Sequence, residues 1–413
     1  LGEGGRGGTA GRGSLRARNV LVAVQVALAL VLLVSSGLMV RSFWQLRGVD
    51  PGFDSRGVLT LRLDLPDADY RDAPAVFRFI DQLLERVRAL PGVVSAASVD
   101  SLPLGGSDSS TGYTFEDFPQ PPGQVMSMIG DGFVSPGYFH ALGIPVIAGR
   151  AFTRQDVDPA VKAVVVSHGL AEHLWPGKSP LGHRLALGAS DKPDWRTIVG
   201  VVGDVRVRAM ANQPEQRVYY PMLRVSGTNE IQISHGFSLV VKSHGDPSRL
   251  IGPIRESVRS LDPNLALSDV RPLRDLEARS IVRTTFTMLL LVIAAAVALL
   301  LGAVGIYGVI SYVVGQRTRE IGVRMALGAR REEISRLVLR EGLGIILAGV
   351  AVGLVAALAA TRLMSSLLYG VSPTDPWTFA AVPLLLVAVA LLATWAPAQR
   401  ASSVEPLEAI RHE

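Results

Sequence analysis

The chain is 413 residues long, room for two or three ordinary domains, but 48% of it is hydrophobic and only 19% charged. That balance points to membrane-embedded segments and argues against a wholly water-soluble protein. The formal charge of +5 is uneven: Arg47 to Arg283 holds 26 basic and 27 acidic residues, so the positive excess flanks the apolar runs and argues against a nucleic-acid partner. No cysteine is present, which excludes disulfides, thiolate nucleophiles and thiolate metal sites.

Residues 1–18 are Gly- and Arg-rich without an apolar period and are expected to form a disordered cytosolic leader or linker, as if the chain began part-way through a longer product. Asn19 to Val40 then runs without a charge, long enough at about 1.5 Å per residue to cross a hydrocarbon core of about 30 Å. It predicts a first span within 19–46. A signal peptide is the competing reading, but the run exceeds the usual apolar core of about 7–15 residues. Arg6, Arg12, Arg16 and Arg18 precede it, which places the amino terminus in the cytosol and Phe43-Trp44 at the outer interface.

Residues 47–283 change to the pattern of a mixed α/β extracytoplasmic domain. Val58–Leu65 alternates as a half-buried strand does, and Val93–Val99 reads as another. Between them, Ala73–Leu90 carries Val76, Phe77, Ile80, Leu83, Leu84 and Val87 at helical spacing before Pro91-Gly92. Leu104–Asp131 is Gly-, Ser- and Pro-rich and reads as a loop or an inserted lobe. A short helix follows Pro136, strands are expected at Ala163–Ser167, Thr197–Val202 and Phe237–Lys242, and a helix capped by Asp246 at Pro247–Leu261. A strand–helix–strand at each end predicts two related α/β lobes.

Three further spans follow. Residues 284–315 carry no charge and would make a helix of about 48 Å, a tilted span or one continued as a stalk. Its Gly302, Gly305 and Gly308 are spaced for close helix packing, as are Gly349 and Gly353 in the third span, 337–361. The hairpin 362–376 is placed outside. The fourth span, 377–396, is bracketed by Trp377 and Trp395, with Pro397 closing it and the tail 397–413 returning to the cytosol.

Between spans two and three lies the most informative stretch, 316–336 and its continuation to Arg340, QRTREIGVRMALGARREEISRLVLR, with seven Arg and three Glu. A basic hairpin between two membrane-length runs belongs on the cytosolic surface. Arg317 to Leu327 suits a short helix that Gly328 stops, and a second begins near Arg330 with Glu332 and Glu333 in its first turn and a Glu332–Arg336 pair. Two helices with a Gly corner make a protrusion that could dock in a partner's groove. A basic helix lying on lipid is the alternative.

Elsewhere the residues offer little chemistry. Gly177-Lys178-Ser179 lacks the earlier Gly of a phosphate loop, Glu172 standing in its place, and reads as a turn. His168, Glu172 and His173 do not follow a metalloprotease order and read as surface helix residues. The spans hold no carboxylate at membrane depth, as an ion-driven carrier would need, so energy must enter from elsewhere.

The motif RTREIGVRMALGA at Arg317–Ala329 is similar to the cytosolic coupling segment of FtsX-like and macrolide-exporter-type (MacB-like) ABC permeases. The closing Pro397-Ala398-x-Arg400-Ala401-x-x-Val404-x-Pro406-x-x-Ala409-x-Arg411 resembles the same family's C-terminal signature, and VSPGYFHALGIP, VVGDVR and GVSPTDP resemble its duplicated-permease branch. The resemblance implies a membrane α-helical protein, four transmembrane helices with one N-terminal and three C-terminal, and a large mixed α/β extracytoplasmic (MacB-like periplasmic core) domain of two lobes. It implies a multi-pass protein of an inner membrane, with no catalytic site, cofactor or metal of its own. A separate cytosolic ABC ATPase would bind the segment through Arg317, Glu320, Ile321, Gly322, Arg324, Ala326, Leu327 and Gly328, and closure on nucleotide would be passed outward, as mechanotransmission. Other implied partners are a second permease copy or fused half, membrane lipid, and a periplasmic adaptor or enzyme. The start of the chain would suit the second half of a duplicated permease. Export of a hydrophobic compound, handling of a lipoprotein or peptide, and control of an extracytoplasmic enzyme stay open. So does a ligand sensor, which predicts a cytosolic output domain.

Overall fold

The computed structural model describes residues 8–105, 109–119, 128–158, 160–188, 193–222, 224–225, 231–232, 235–316 and 331–402. It divides into two compact units, Val49–Val282 and a helical unit made of the remainder.

The helical unit holds α1 (Gly8–Arg47), and its remaining long helices are introduced below. The helix starts at Gly8, so the residues expected to be disordered are helical from there to Arg18. Extending an existing helix adds one bond per residue fixed and avoids the cost of a new nucleus, so the span draws its leader into register.

Unit Val49–Val282 is built around strands. In chain order they are β1 (Val58–Asp64), β2 (Val93–Val99), β3 (Ser109–Phe115), β4 (Met128–Val134), β5 (Val146–Gly149), β6 (Ala163–Ser167), β7 (Arg184–Leu187), β8 (Arg196–Val202) and β9 (Arg217–Pro221). A two-residue ribbon, β10 (Arg224–Val225) and β11 (Ile231–Gln232), comes next, then β12 (Gly236–Ser243) and β13 (Ser268–Pro272). Helices α2 (Ala73–Arg88), α3 (Tyr138–Ala141), α4 (His168–Leu174) and α5 (Ile251–Arg259) lie between them.

The first lobe is an open sheet in the order β13-β1-β12-β2. Alternate residues Leu59, Leu61 and Leu63 of β1 share a core with Phe237, Leu239 and Val241 of β12, covered by Ile80, Leu83 and Val87 of α2 and by Ile254 and Val258 of α5. Helix α2 starts where expected because Asp72 accepts from Ala75 N at 2.8 Å and Pro74 occupies the first turn. Asp246 caps as expected, accepting from Ser248 N at 2.9 Å, but the helix it opens begins as a 3-10 turn, Pro247–Leu250, before α5.

The second lobe differs from the first. Pairings β4–β3, β3–β7, β7–β8, β8–β6, β6–β9 and β9–β4 close a ring of six strands. The expectation of two related lobes is therefore corrected: one is an open sheet under helices, the other a ring filled by side chains such as Tyr113, Phe133, Val164, Val166 and Tyr220. The region expected as a loop supplies β3 and β4, because in a closed ring each strand finds partners on both sides and low intrinsic propensity is overridden. Within the sheet the lobes meet at β2 and β4, where Val99 pairs with Val134.

Just past β2, Asp100 accepts from Phe133 N at 3.0 Å. Burial pushes this carboxyl up to about 6, against the pull of the Phe133 and Ser101 amides and the Arg217 charge. The folded protein thus holds this proton more tightly than the unfolded chain, so the stability Asp100 contributes is fully present below the ordinary aspartate value and is lost as pH rises through about 6. Across that window the loss is expected to reach roughly 2–3 kcal/mol, and Asp100→Asn should flatten it in thermal melts taken at a series of pH values.

Candidate coupling site

The second and third of the long apolar helices, α6 (Leu273–Gln316) and α7 (Arg331–Leu363), bracket the basic stretch, and α8 (Pro376–Ser402) completes the helical unit. Among the described residues four stretches are long and apolar enough to cross a membrane: Ala17–Arg47, Thr284–Gln316, Gly342–Leu363 and Pro376–Pro397. Arg317, Glu320, Ile321, Gly322, Arg324, Ala326, Leu327 and Gly328 all lie outside the described residues, as does the Glu332 side chain of the expected Glu332–Arg336 pair.

Both ends of the stretch are rooted in one apolar core. Ile306 and Ile310 of α6 and Ile346 and Val350 of α7 pack with Val22, Val26 and Leu30 of α1 and with Leu386 and Ala390 of α8. At the end of α6, Gln316 Nε2 donates to the Tyr312 hydroxyl at 2.7 Å. The Arg18 guanidinium of α1 lies 4.1 Å from the centre of the Tyr312 ring, a cation–π contact one turn before the stretch begins. At the start of α7, Glu333 and Arg336 are exposed.

The glycines show which helices touch closely. A Cβ on Gly349 would lie 2.8 Å from Ala23 O and from Val26 Cβ, and one on Gly353 would lie 2.9 Å from Ala27 Cα, so α7 seats its two small residues directly on the backbone of α1. Gly342 faces Ile310 and Thr394 at 3.1 and 3.4 Å. Of the three α6 glycines read as packing residues, only Gly305 abuts anything, the Gln25 side chain; Gly302 and Gly308 would meet nothing within 4 Å. Even spacing marks candidates but cannot show whether a partner helix is there. Pro397 does not end α8, which continues to Ser402; a proline removes one helical bond, and the turns beyond it still form.

At the other end of the unit, where α1 leads toward β1, a polar latch fastens α1 to the connection between α7 and α8. Arg41 Nη1 lies 2.5 Å from Asp375 Oδ2, Tyr369 N donates to Ser42 Oγ at 2.7 Å, and the Gln45 amide, turned so that its nitrogen faces the carbonyl, donates to Gly370 O at 2.7 Å. Asp375 also caps α8, accepting from Thr378 N at 3.0 Å and from its hydroxyl at 2.8 Å. Sequence reading passed over these residues, although one signal was available: a lone Arg just after one apolar run and a lone Asp just before another.

Burial pushes the Asp375 carboxyl up, but the Thr378 hydrogen bonds and the Arg41 charge outweigh it and hold the group below its ordinary value. A depressed carboxylate contributes stability above the unfolded-state value and loses it as pH falls through the folded one. Asp375→Ala is expected to lower stability near neutral pH by about 1–2 kcal/mol, the size of a lost cap, and to narrow its margin over the variant under strong acid. Melts of both proteins in the same detergent check this.

The other motifs behave as turns and helix surface. Lys178 N donates to Trp175 O at 3.0 Å and Gly177 adopts φ 68°, a turn and not a phosphate cradle. His168, Glu172 and His173 lie on α4, and among the described residues no group of His, Cys, Asp or Glu is placed to hold a metal.

Residues 20–255 match the family model described as MacB-like periplasmic core domain, and residues 292–406 match the one described as FtsX-like permease C-terminal. The macrolide export ATP-binding/permease protein MacB of Sodalis glossinidius is 26% identical over 291 residues, covering 68% of this chain and 43% of that protein. The uncharacterised ABC transporter permease YknZ of Bacillus subtilis is 26% identical over 284 residues, covering 68% of this chain and 69% of that one. The chain thus spans less than half the length of the MacB proteins it matches. Among solved structures, the periplasmic region of MacB from Actinobacillus actinomycetemcomitans aligns with 52% of this chain and 89% of its own at 16% identity and TM-score 0.35. The extracellular domain of YknZ aligns with 52% and 99% at 18% identity and TM-score 0.33. With four apolar helices, a strand-rich domain between the first and second, and family matches that together cover most of its length, the chain is a membrane protein with an extracytoplasmic domain and belongs to the MacB/FtsX-like ABC permease family.

Proposed function

We propose that the chain is a non-catalytic permease subunit that passes movement from a separate cytosolic ABC ATPase to its extracytoplasmic domain, in the service of efflux or export. The observation that carries this is the rooting of the Arg317–Gly328 stretch. Its two flanking helices share one core with α1 and α8, so a force applied there is felt by all four helices. Helix α6 runs unbroken from Leu273 to Gln316. Its first turns are held in the extracytoplasmic domain by Ser55 Oγ on Glu277 at 2.6 Å and by Met210 N on Ser280 Oγ at 2.9 Å. A push on the Gln316 end therefore has a continuous path to that domain. The spans carry no carboxylate, which supports a drive from outside the bilayer.

In this reading both termini are cytosolic, in an inner membrane, and the working unit contains a second permease copy or a fused half. Affinity purification of the full chain from its native membrane should retain a subunit carrying a nucleotide-binding loop; recovery of a kinase or of an extracytoplasmic enzyme alone would favour a sensor or regulator. Lys178→Cys, at an exposed turn in a protein without cysteines, should react with an impermeant thiol reagent on intact spheroplasts. Reaction only after lysis would overturn the orientation.

A further inference from the structure

The extracytoplasmic domain contains a cavity of about 560 Å³ between α2 of the first lobe and the second-lobe residues Val157 and Met222. That volume lies within the range of about 300–1,000 Å³ seen for small-molecule sites. Its α2 wall mixes apolar Phe77, Ile80 and Leu84 with charged Arg78, Asp81 and Arg88. Met222 holds a left-handed backbone, φ 58°, an uncommon conformation for a residue of its kind, while its amide donates to Val134 O at 3.1 Å and Tyr220 O at 3.0 Å and its sulfur accepts from Ser98 Oγ at 3.0 Å.

Of the lining arginines, Arg154 is ion-paired, while Arg78 and Arg88 bond only backbone carbonyls, Arg78 one and Arg88 two. Arg88 Nε and Nη2 donate to Ala96 O at 2.9 and 2.7 Å, and Nη2 also donates to Pro136 O at 3.0 Å. These neutral carbonyls fix the guanidinium, and among the described residues no carboxylate lies within ion-pair distance of it. The carboxylates whose field it feels, Asp81 and Glu85, are both taken by Arg154, at 2.5 and 3.0 Å. Burial of its guanidinium holds the Arg88 pKa below that of an ordinary arginine, although the residue as a whole is exposed. A guanidinium fixed by carbonyls and without a counter-ion, beside apolar side chains, is complementary to a molecule with one anionic head and an apolar body.

We propose that this cavity binds a free single-chain anionic amphiphile, its carboxylate on Arg88 and its chain along Phe77, Ile80, Leu84, Val157 and Met222. The site stands on the extracytoplasmic domain alone and does not depend on how the membrane helices are driven. The path through α6 and this cavity can therefore fail separately.

The full chain in lipid nanodiscs, exposed to a decanoate probe carrying a photoreactive diazirine, tests it. Outside the membrane helices, labelling should map to the α2 peptide and to the peptide around Met222. Free decanoate should compete, and decanamide, of equal length without the charge, should compete at least about tenfold less well, in line with the value of a charge-assisted hydrogen bond. Arg88→Gln should weaken decanoate competition by a similar factor, and Arg88→Lys should retain most of it. Because Arg88 also bonds two backbone carbonyls, Phe77→Glu on the half-buried wall serves as a second arm, expected to abolish labelling of both peptides without changing the melting temperature. Equal competition by decanamide, labelling confined to the membrane helices, or labelling unaffected by Phe77→Glu in a folded protein would overturn the proposal.

Discussion

Leucine in place of Gly349 or Gly353 is expected to unseat α7 from α1 and to cost at least about 2 kcal/mol of stability, the upper part of the range for overpacking a close contact. The estimate rests on what the added atoms would meet. At Gly349 the nearest obstacle is the carbonyl oxygen of Ala23 and at Gly353 it is the Cα of Ala27, both main-chain atoms that no rotamer change can move aside. In lipid, where no hydrophobic gain draws helices together, such close backbone approach is a main source of their association. Gly308→Leu is the control. Nothing lies within 4 Å of its Cβ position, and leucine is a better helix former than glycine by about 1 kcal/mol, so this variant should be neutral or slightly stabilised. Denaturation in mixed micelles separates the three. Equal losses at Gly308 and Gly353 would mean that the effect lies in helix propensity or insertion and not in the α1–α7 contact.

Glu320→Lys combined with Gly322→Asp is the second large effect, expected to reduce recovery of the ATPase with the purified chain at least about tenfold. A charge reversal across a protein interface replaces attraction by repulsion worth several kcal/mol, and the new carboxylate at position 322 adds bulk where the sequence has none. The melting temperature is expected to stay unchanged, since the core that α6 and α7 share is built from other residues such as Ile306, Ile310, Ile346 and Val350. Full recovery of the partner with the double variant would remove Arg317–Gly328 from the interface.

Much of this architecture was legible in one dimension, for physical reasons. Uncharged runs such as 284–315 announce themselves because hydrocarbon does not tolerate unpaired charge, and α2 was readable because it buries one face of its period; β1 was readable from its alternation, although Val58 and Thr60 on its second face are buried too, so it is not the half-buried strand expected. Strands β3 and β4 were not, since Ser109-Ser110-Thr111-Gly112 and Gly130-Asp131-Gly132 have little intrinsic preference for a strand and owe their conformation to partners far away in sequence. The latch and the cavity were hidden for the same reason. Arg41 and Asp375 are separated by 334 residues, and Arg88 stands out only once Asp81 and Glu85 are seen to belong to Arg154. The coupling residues rest on motif and placement, because a basic stretch between two apolar runs does not say what it touches.

The most direct test of the central claim is a photo-crosslinking amino acid at Ile321, irradiated in native membranes with the same residue at Lys178 as the comparison. Position 321 is expected to capture a protein with a nucleotide-binding loop, and position 178 is not. Capture of lipid alone at position 321, with no such protein, would contradict it and assign the stretch to the membrane surface.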